Sequence, residues 1–414
     1  MSQYLNLLKK RPNFRRLWLA TVISLGGDWF NTIASLIIVN KYTESGLAIS
    51  WILIARTLPL FLVSPLAGVV ADRYDRKKLL IITDVLRAGI VLSFLFVDRP
   101  ERIWLIYVLT AVQFVFSSFF EPAFSAIMPG LVEGEDEILT ANVISSVTWS
   151  AMMAIGSALG GVFTNAFGVR AALVLDAVSF LFSAAFIFRI KINRERIVLA
   201  SGNGWTDLIA GARFVAQRPK VFSLAMVKGL SQIGNGDIIM GLFASRIFIL
   251  GNEGASALGI MFTAAGIGAI LGPLVGKYVF DDTNRRLMNI AILVGFIFIP
   301  LGWLIIGWGP SIWVVSLGLL VRFMGGSANW TFSSVLIQLE VPDRFLGRVF
   351  ALDMAFFTLM SSLSVWISGY LVDEFGLGPR SLVFIILAGN ILPGLIWMGR
   401  LKETRPSESQ IHLN

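Results

Sequence analysis

The chain contains no cysteine, and its single histidine, His412, lies in a polar tail. Disulfide staples, thiol chemistry and a histidine-based metal site are therefore excluded. Charge is scarce as well: 14% of the 414 residues are charged against 56% hydrophobic, with mean hydropathy +0.77. A soluble domain of this length cannot hide so much apolar surface in one core, so the excess is expected to face lipid. No glycine-rich nucleotide loop, metal-ligand cluster or nucleophile–base set is present, and neither enzyme chemistry nor a cofactor is expected.

What the sequence has instead is length in its apolar runs. Twelve stretches of roughly 20 residues, enough to cross ~30 Å of hydrocarbon, begin near Leu17, Leu47, Leu79, Ile103, Ile138, Ala171, Val221, Ala255, Leu287, Ser311, Val349 and Ser381. Membrane strands need only ~10 residues in alternating pattern, and these runs are too long and too uniformly apolar. The prediction is an all-α membrane protein with twelve transmembrane helices. The first run, Leu17 to Val39, is too long for a signal peptide and lacks a small-residue cleavage site, so it is expected to stay as the first helix.

A net charge of +8 raises the question of nucleic acid, and the placement of the basic residues answers it. With the N-terminus inside, 24 of the 34 lysines and arginines fall on the inner side and six in outer loops, Lys41, Arg99, Arg102, Arg170, Arg246 and Arg380. This is the positive-inside pattern: both termini are expected to be cytoplasmic, the chain to sit in the cell membrane, and nucleic acid is not a partner.

Internal repetition follows an almost constant offset. Asp28 and Asp237 are 209 residues apart, as are Asp72 and Asp281, while Gly161 and Gly168 match Gly369 and Gly376 at 208. Duplication of a six-helix unit accounts for this register. The expected divisions are 1–190 for the first six-helix unit, 191–220 for a polar cytoplasmic linker, 221–402 for the second unit and 403–414 for a tail. Within the linker, Leu208, Ile209, Ala212, Phe214 and Val215 fall on one face of a helix expected to lie at the inner interface.

Between the second and third runs stands Gly68, then Asp72, Arg73, Asp75, Arg76 and Lys77. This resembles motif A of the major facilitator superfamily, with Asp75 in the place of a second glycine. The second-half echo keeps Asp281, Arg285 and Arg286 but has Lys277 where the glycine would stand. Pro122-Ala123 with Ile127-Met128-Pro129, and Asp343 with Gly347-Arg348, are similar to the subgroup of drug, macrolide and siderophore exporters known as the drug:proton antiporter-3, or MFS_3, type. The resemblance covers essentially the whole chain. It implies the major facilitator fold of two pseudo-symmetric six-helix bundles, an inner gate at Gly68, Asp72, Arg73, Arg76 and Lys77, a second-half gate at Asp281, Arg285, Arg286, Asp343, Gly347 and Arg348, and no metal or cofactor. Gly156-Ser157-Ala158-Leu159-Gly160-Gly161 resembles part of the antiporter motif C, with Ser157 in the proline position. Its small residues are expected to let helix 5 approach Gly259, Gly266, Gly268 and Gly272 of helix 8.

Ten charged residues fall inside the runs: Asp28, Arg56, Asp84, Arg87, Glu121, Asp176, Lys228, Asp237, Arg322 and Asp353. Each needs a partner, a wet cavity or a task. Asp84 with Arg87 is an i, i+3 pair, and Asp84, Arg87, Lys228 and Asp353, near the inner ends, are expected to be structural. Helices 1, 4, 7 and 10 line the cavity in the resembled superfamily, which makes Asp28, Glu121, Asp237 and Arg322 candidates for proton coupling or substrate binding, with Arg56 beside them. Asp28 is the first choice as the group that trades a proton for cargo. The expected activity is secondary active transport, a proton-coupled export of small amphipathic drugs or siderophores by alternating access, by a monomer whose partners are its substrate, protons and lipid. Two alternatives stand: transport of a lysolipid or a divalent metal ion, the Gly27-Asp28 pair being similar to ferroportins, and a non-transporting receptor or scaffold on the same fold.

Overall fold

The structure, a computed structural model, describes residues 2–43, 45–191, 212–280 and 284–403 and is helical apart from short connections. Its helices are α1 (Ser2–Lys10), α2 (Pro12–Tyr42), α3 (Gly46–Arg73), α4 (Arg76–Ser93), α5 (Ile103–Ile127), α6 (Gly134–Phe188), α7 (Pro219–Leu230), α8 (Gly236–Arg246), α9 (Ala255–Val279), α10 (Arg285–Trp308), α11 (Ile312–Glu340), α12 (Asp343–Glu374) and α13 (Pro379–Glu403). Among the described residues, ten of these helices are long and apolar enough to cross a membrane: all but α1, α7 and α8. Large apolar side chains stay exposed around them, Phe188, Tyr278, Trp308 and Trp313 among the most open. The chain is a multi-pass membrane protein, with hydrocarbon rather than water as the solvent of its outer faces.

The observed count differs from twelve at two places, and both have a backbone cause. α6 spans 55 residues, too long at ~1.5 Å per residue for one crossing, and Gly168 inside it leaves helical geometry (φ 82°, ψ 168°). The predicted starts at Ile138 and Ala171 lie on the two arms of this element. Conversely, the run predicted from Val221 is cut into α7 and α8 by the turn at 231–235, where Gly234 has φ 71°. An added Cβ there would collide with Ile386, so this turn combines a left-handed backbone with a site that only glycine fits.

Helix starts follow local capping rules. Ser45 caps α3 by accepting from Ala48 N, Asp75 caps α4 by accepting from Lys77 N and Lys78 N, and Asn284 and Asn235 cap α10 and α8. Contacts between the first and second halves of the chain run from the Ser45 end toward the middle. The Asp373 carboxylate at the end of α12 accepts from Ser45 Oγ (2.6 Å), Gly46 N (2.7 Å) and Leu47 N (3.0 Å) at the start of α3. Nearby, Ser50 Oγ donates to Val365 O at 2.7 Å, Thr57 and Ser362 hydroxyls meet at 3.1 Å, and Lys41 pairs with Glu253 at 3.2 Å. α6 and α9 pack backbone to backbone: a Cβ on Gly161 would stand 2.7 Å from Gly259 Cα, and one on Gly266 2.5 Å from Ala154 N. Of the four glycines expected to face helix 5, Gly259 and Gly266 do so, whereas Gly268 and Gly272 face Leu320 and Met324 of α11.

The opposite end, which carries Arg11 and Asp75, is tied within each half. Arg11 reaches Glu133 at 2.5 Å and Glu137 at 2.8 Å, Lys77 Nζ donates to Ile190 O at 2.8 Å, and Arg285 pairs with Glu340 at 2.8 Å. Arg11 holds the Glu133 carboxyl below its ordinary range by hydrogen bonding to its charged form.

Candidate transport site

Two of the ten membrane-embedded charges in each half neutralise one another. Arg87 pairs with Asp84 one turn away, Ser183 Oγ donates to the second Asp84 oxygen at 2.6 Å, and the guanidinium lies between the rings of Phe120 and Phe180 at 4.6 and 4.3 Å. Lys228 of α7 pairs with Asp353 of α12, its ammonium 4.6 Å over the Trp330 ring. All four are buried, and none is free to serve a substrate without breaking a buried pair. The expected structural role fits this geometry, and the partnership of Lys228 with Asp353 is an addition that spacing in the sequence does not reveal.

The remaining charges are Asp28, Arg56, Glu121, Asp176, Asp237 and Arg322. Asp28 of α2 is half-buried, and Gln113 Nε2 of α5 donates to its Oδ1 at 3.5 Å. Arg56 of α3 donates to Thr32 Oγ1 at 2.6 Å, and Thr32 Oγ1 in turn donates to the Asp28 carbonyl at 2.6 Å. The Arg56 guanidinium rests 5.1 Å over the Phe114 ring. Asn31 Nδ2 donates both to Gln113 Oε1 (3.2 Å) and to Asp176 Oδ2 (3.0 Å), which extends the set to a fully buried carboxylate. Gly27 makes this approach possible, since a Cβ there would overlap Ser179 and Asp176. A cavity of about 10 Å³, room for about one water, lies between Asp28, Asn31, Ser35, Arg56, Thr110 and Gln113.

In the second half, Asp237 stands in the first turn of α8, where its backbone N–H is capped by Asn235 Oδ1 at 2.8 Å. Arg322 of α11 is buried, donates from Nη2 to Gly234 O at 3.0 Å, and stacks on Phe323 and Trp303 at 4.7 and 5.0 Å. Arg322 makes no ion pair with Asp28 or Asp237 among the described residues and satisfies a carbonyl freed by the helix break. Asp237 lies in the fields of Arg322 and Arg56, the latter from the other half. Glu121, just before Pro122, keeps an exposed side chain. Among the described residues, Asp28, Glu121, Asp176 and Asp237 form no ion pair.

Of the gate residues, Arg73 is exposed, Arg76 Nη1 donates to Ala126 O at 2.8 Å, Arg286 and Gly347 are exposed, and Arg348 lies 5.6 Å over the Phe345 ring. Asp281 and most of the linker, 192–211, lie outside the described residues, as do the tail from 404 and the side chains at Gly68, Asp72 and Asp343; residues 212–216 of the linker are helical.

Asn31, Gln113 and Asp176 were not among the expected site residues. The repeat contained a signal for one of them: 322 − 113 = 209, so Gln113 is the counterpart of Arg322, and 323 − 114 = 209 pairs the rings beneath Arg56 and Arg322. Likewise 236 − 27 = 209 pairs the two glycines that give clearance to these sites.

Residues 7–391 match the family of transmembrane secretion effectors, MFS_3. The chain belongs to this family. Curated relatives include the uncharacterised MFS-type transporter YfiS of Bacillus subtilis (26% identical, covering 92% of this chain and 91% of the relative), macrolide efflux protein A of Streptococcus pyogenes (23%, 95% of each) and the enterobactin exporter EntS of Citrobacter koseri (24%, 94% of each). Among solved structures, the nucleoside transporter NupG aligns with a TM-score of 0.74 at 15% identity, over 95% of this chain and 100% of that one. A bacterial homologue of the iron transporter ferroportin in the inward-facing state aligns with a TM-score of 0.73 at 14%, over 95% and 99%. At these identities the structures speak for the fold alone. The chain is thus a member of an MFS-type transporter family whose curated relatives include exporters.

Proposed function

We propose that this protein is a proton-coupled exporter of small amphipathic molecules, of the drug or siderophore class, that works by alternating access. The observation that carries the reading is the first-half site: a carboxylate, Asp28, held by a neutral amide rather than a cation, beside a cavity sized for about one water. Such a group can take up a proton without first breaking an ion pair. Export as the direction rests on the macrolide and enterobactin relatives.

In this reading the chain crosses the membrane twelve times. The two arms of α6 count as separate crossings and α7 with α8 as one broken crossing, which gives two six-helix bundles and an even number. The basic end, with Arg11 and Asp75, is cytoplasmic by the positive-inside rule. The contacts through Asp373, Lys41 and Gly161 then close the outer side, and the state is inward-facing. Asp373 acts as an outer latch, a carboxylate of one half set on a helix N-terminus of the other. Arg73, Arg76 and Lys77 with Gly68 and Asp72, and in the second half Asp281, Arg285, Arg286, Asp343, Gly347 and Arg348, form the inner gate when the outer latch opens. Asp237, Arg322 and Arg56 shape the substrate end of the cavity.

The test is transport by the full chain in proteoliposomes under an imposed proton gradient, with a macrolide, a catecholate siderophore, a lysolipid and divalent metal ions as candidate cargoes. Gradient-driven movement of the macrolide or siderophore supports the reading. Movement of the lysolipid or metal alone replaces it with the corresponding transporter, and movement of none favours a receptor or scaffold.

A further inference from the structure

Asp176 is the charge in the fold with the least visible reason to be there. It lies on the second arm of α6 and is fully buried. Its oxygens receive hydrogen bonds from Asn31 Nδ2 at 3.0 Å and from Ser179 Oγ at 3.4 Å, and among the described residues it forms no ion pair. The charged groups that face it are Asp28 from α2, Arg56 from α3 and Arg87 from α4, and Arg87 is already committed to Asp84. From α5, the neutral Gln113 is linked to it through Asn31.

The amides between the two acids form a directed chain. Asn31 donates to Asp176 and to Gln113 Oε1, Gln113 donates to Asp28, and Ser35 Oγ donates to Asn31 Oδ1 at 2.7 Å, which fixes the orientation of the Asn31 amide. Both carboxyls are therefore served as acceptors by the same pair of side chains, and a change of proton occupancy at one alters what the pair can offer the other. A second observation marks the place as built for a guest. Thr110 Oγ1 is buried without a hydrogen-bond partner and lines the same small cavity as Asp28, Asn31 and Gln113. A water or hydronium held there satisfies Thr110 and touches the Asp28 side of the chain.

We infer that Asp176 is a second proton-binding group of the transport site, joined to Asp28 through the Gln113–Asn31 amide pair, beside the small cavity at Thr110. The two carboxyls titrate as a coupled pair, so that loading Asp28 from the cavity changes the proton affinity of a group packed between α2 and the second arm of α6. This inference rests on the reading of Asp28 as the coupling residue.

Infrared difference titration of the full chain in detergent tests it, by following the protonated carboxyl stretch in wild type, Asp28→Asn, Asp176→Asn and Gln113→Leu. The expected result is that each aspartate variant removes one titrating carboxyl band and moves the midpoint of the other by about one pH unit or more. Gln113→Leu keeps both bands and reduces their mutual shift, since the amide link is lost while the direct field between the carboxyls remains. An Asp176→Asn protein that elutes as a single folded species yet loses no titrating band, or leaves the Asp28 midpoint in place, overturns the proposal. If Asp176→Asn does not fold, Asp176→Glu is read instead: an unchanged Asp28 midpoint there is equally contrary. The transport arm separates the two claims. Loss of proton-driven uptake in Asp28→Asn with no coupling between the bands sinks only the role of Asp176, whereas unchanged proton dependence in Asp28→Asn sinks the underlying reading.

Discussion

The two halves place an aspartate at equivalent positions and then treat it in opposite ways. Around Asp28 the helix α2 continues unbroken, and the counterpart of Arg322 is the neutral Gln113. Around Asp237 the helix is interrupted at 231–235, Arg322 fills the break by holding Gly234 O, and its positive charge stays near the acid. Both acids lie in the field of Arg56 without an ion pair; the first has a neutral amide and a small cavity beside it, whereas the second has the buried Arg322 as well. On the proposed reading, one sequence pattern serves as a titrating site in the first half and a fixed charged site in the second, with glutamine at 113 where the second half has arginine at 322.

The largest effects are expected where the halves are alike, in their buried ion pairs. Lys228→Met and Arg87→Met each leave a buried carboxylate alone and should lower stability by about 3–5 kcal/mol, read as loss of monodisperse protein on heating. Lys228→Met combined with Asp353→Leu should recover much of that loss. Equal tolerance of single and double variants would show that these pairs are not structural.

Next in size, Gln113→Arg gives the first half the second half's solution. A guanidinium next to Asp28 holds it charged, and proton-driven transport should fall by about tenfold, the effect of one pH unit. Arg322→Gln, the reverse exchange, should preserve proton dependence and weaken substrate affinity. If both variants lose coupling equally, the contrast between the halves collapses.

A smaller effect is expected at the outer latch. Asp373→Ala removes three hydrogen bonds to a helix start and should move the balance between outer-closed and outer-open forms by about 1–2 kcal/mol. The cysteine-free chain makes this measurable by spin labels on two introduced cysteines at the Ser45 end. An unchanged distance distribution would remove Asp373 from the account.

The smallest effect belongs to the exposed Arg11–Glu133 contact. Because the folded Glu133 carboxyl is held below its ordinary value of 4.5, its contribution is present above that pH and fades as the pH falls through the folded value. Glu133→Gln should flatten the acid limb of thermal stability slightly and leave neutral pH unchanged.

Much of this architecture was legible because lipid writes a strong pattern. Apolar runs of membrane length mark the helices, and the constant offset of 209 relates Asp28 to Asp237. The turn at Gly168 was legible as the boundary between the runs from Ile138 and Ala171, but the break at Gly234 was not, since a glycine inside an apolar run looks the same whether it packs two helices, as Gly161 does, or bends one. Nor was the amide network. Asn31 and Gln113 carry no charge and so raise no alarm in a membrane segment, yet they decide how two acids are connected. Lys228 and Asp353, 125 residues apart, meet only because α7 and α12 pack together.

The central claim is that Asp28, and not its repeat mate, carries the coupling proton. Proton-gradient-driven transport by Asp28→Asn and Asp237→Asn in proteoliposomes, measured side by side with a macrolide or siderophore as cargo, tests it most directly. The account predicts that Asp28→Asn transports without responding to the gradient, or not at all, while Asp237→Asn keeps the gradient response with weakened cargo affinity. A gradient response retained in Asp28→Asn and lost in Asp237→Asn would contradict it.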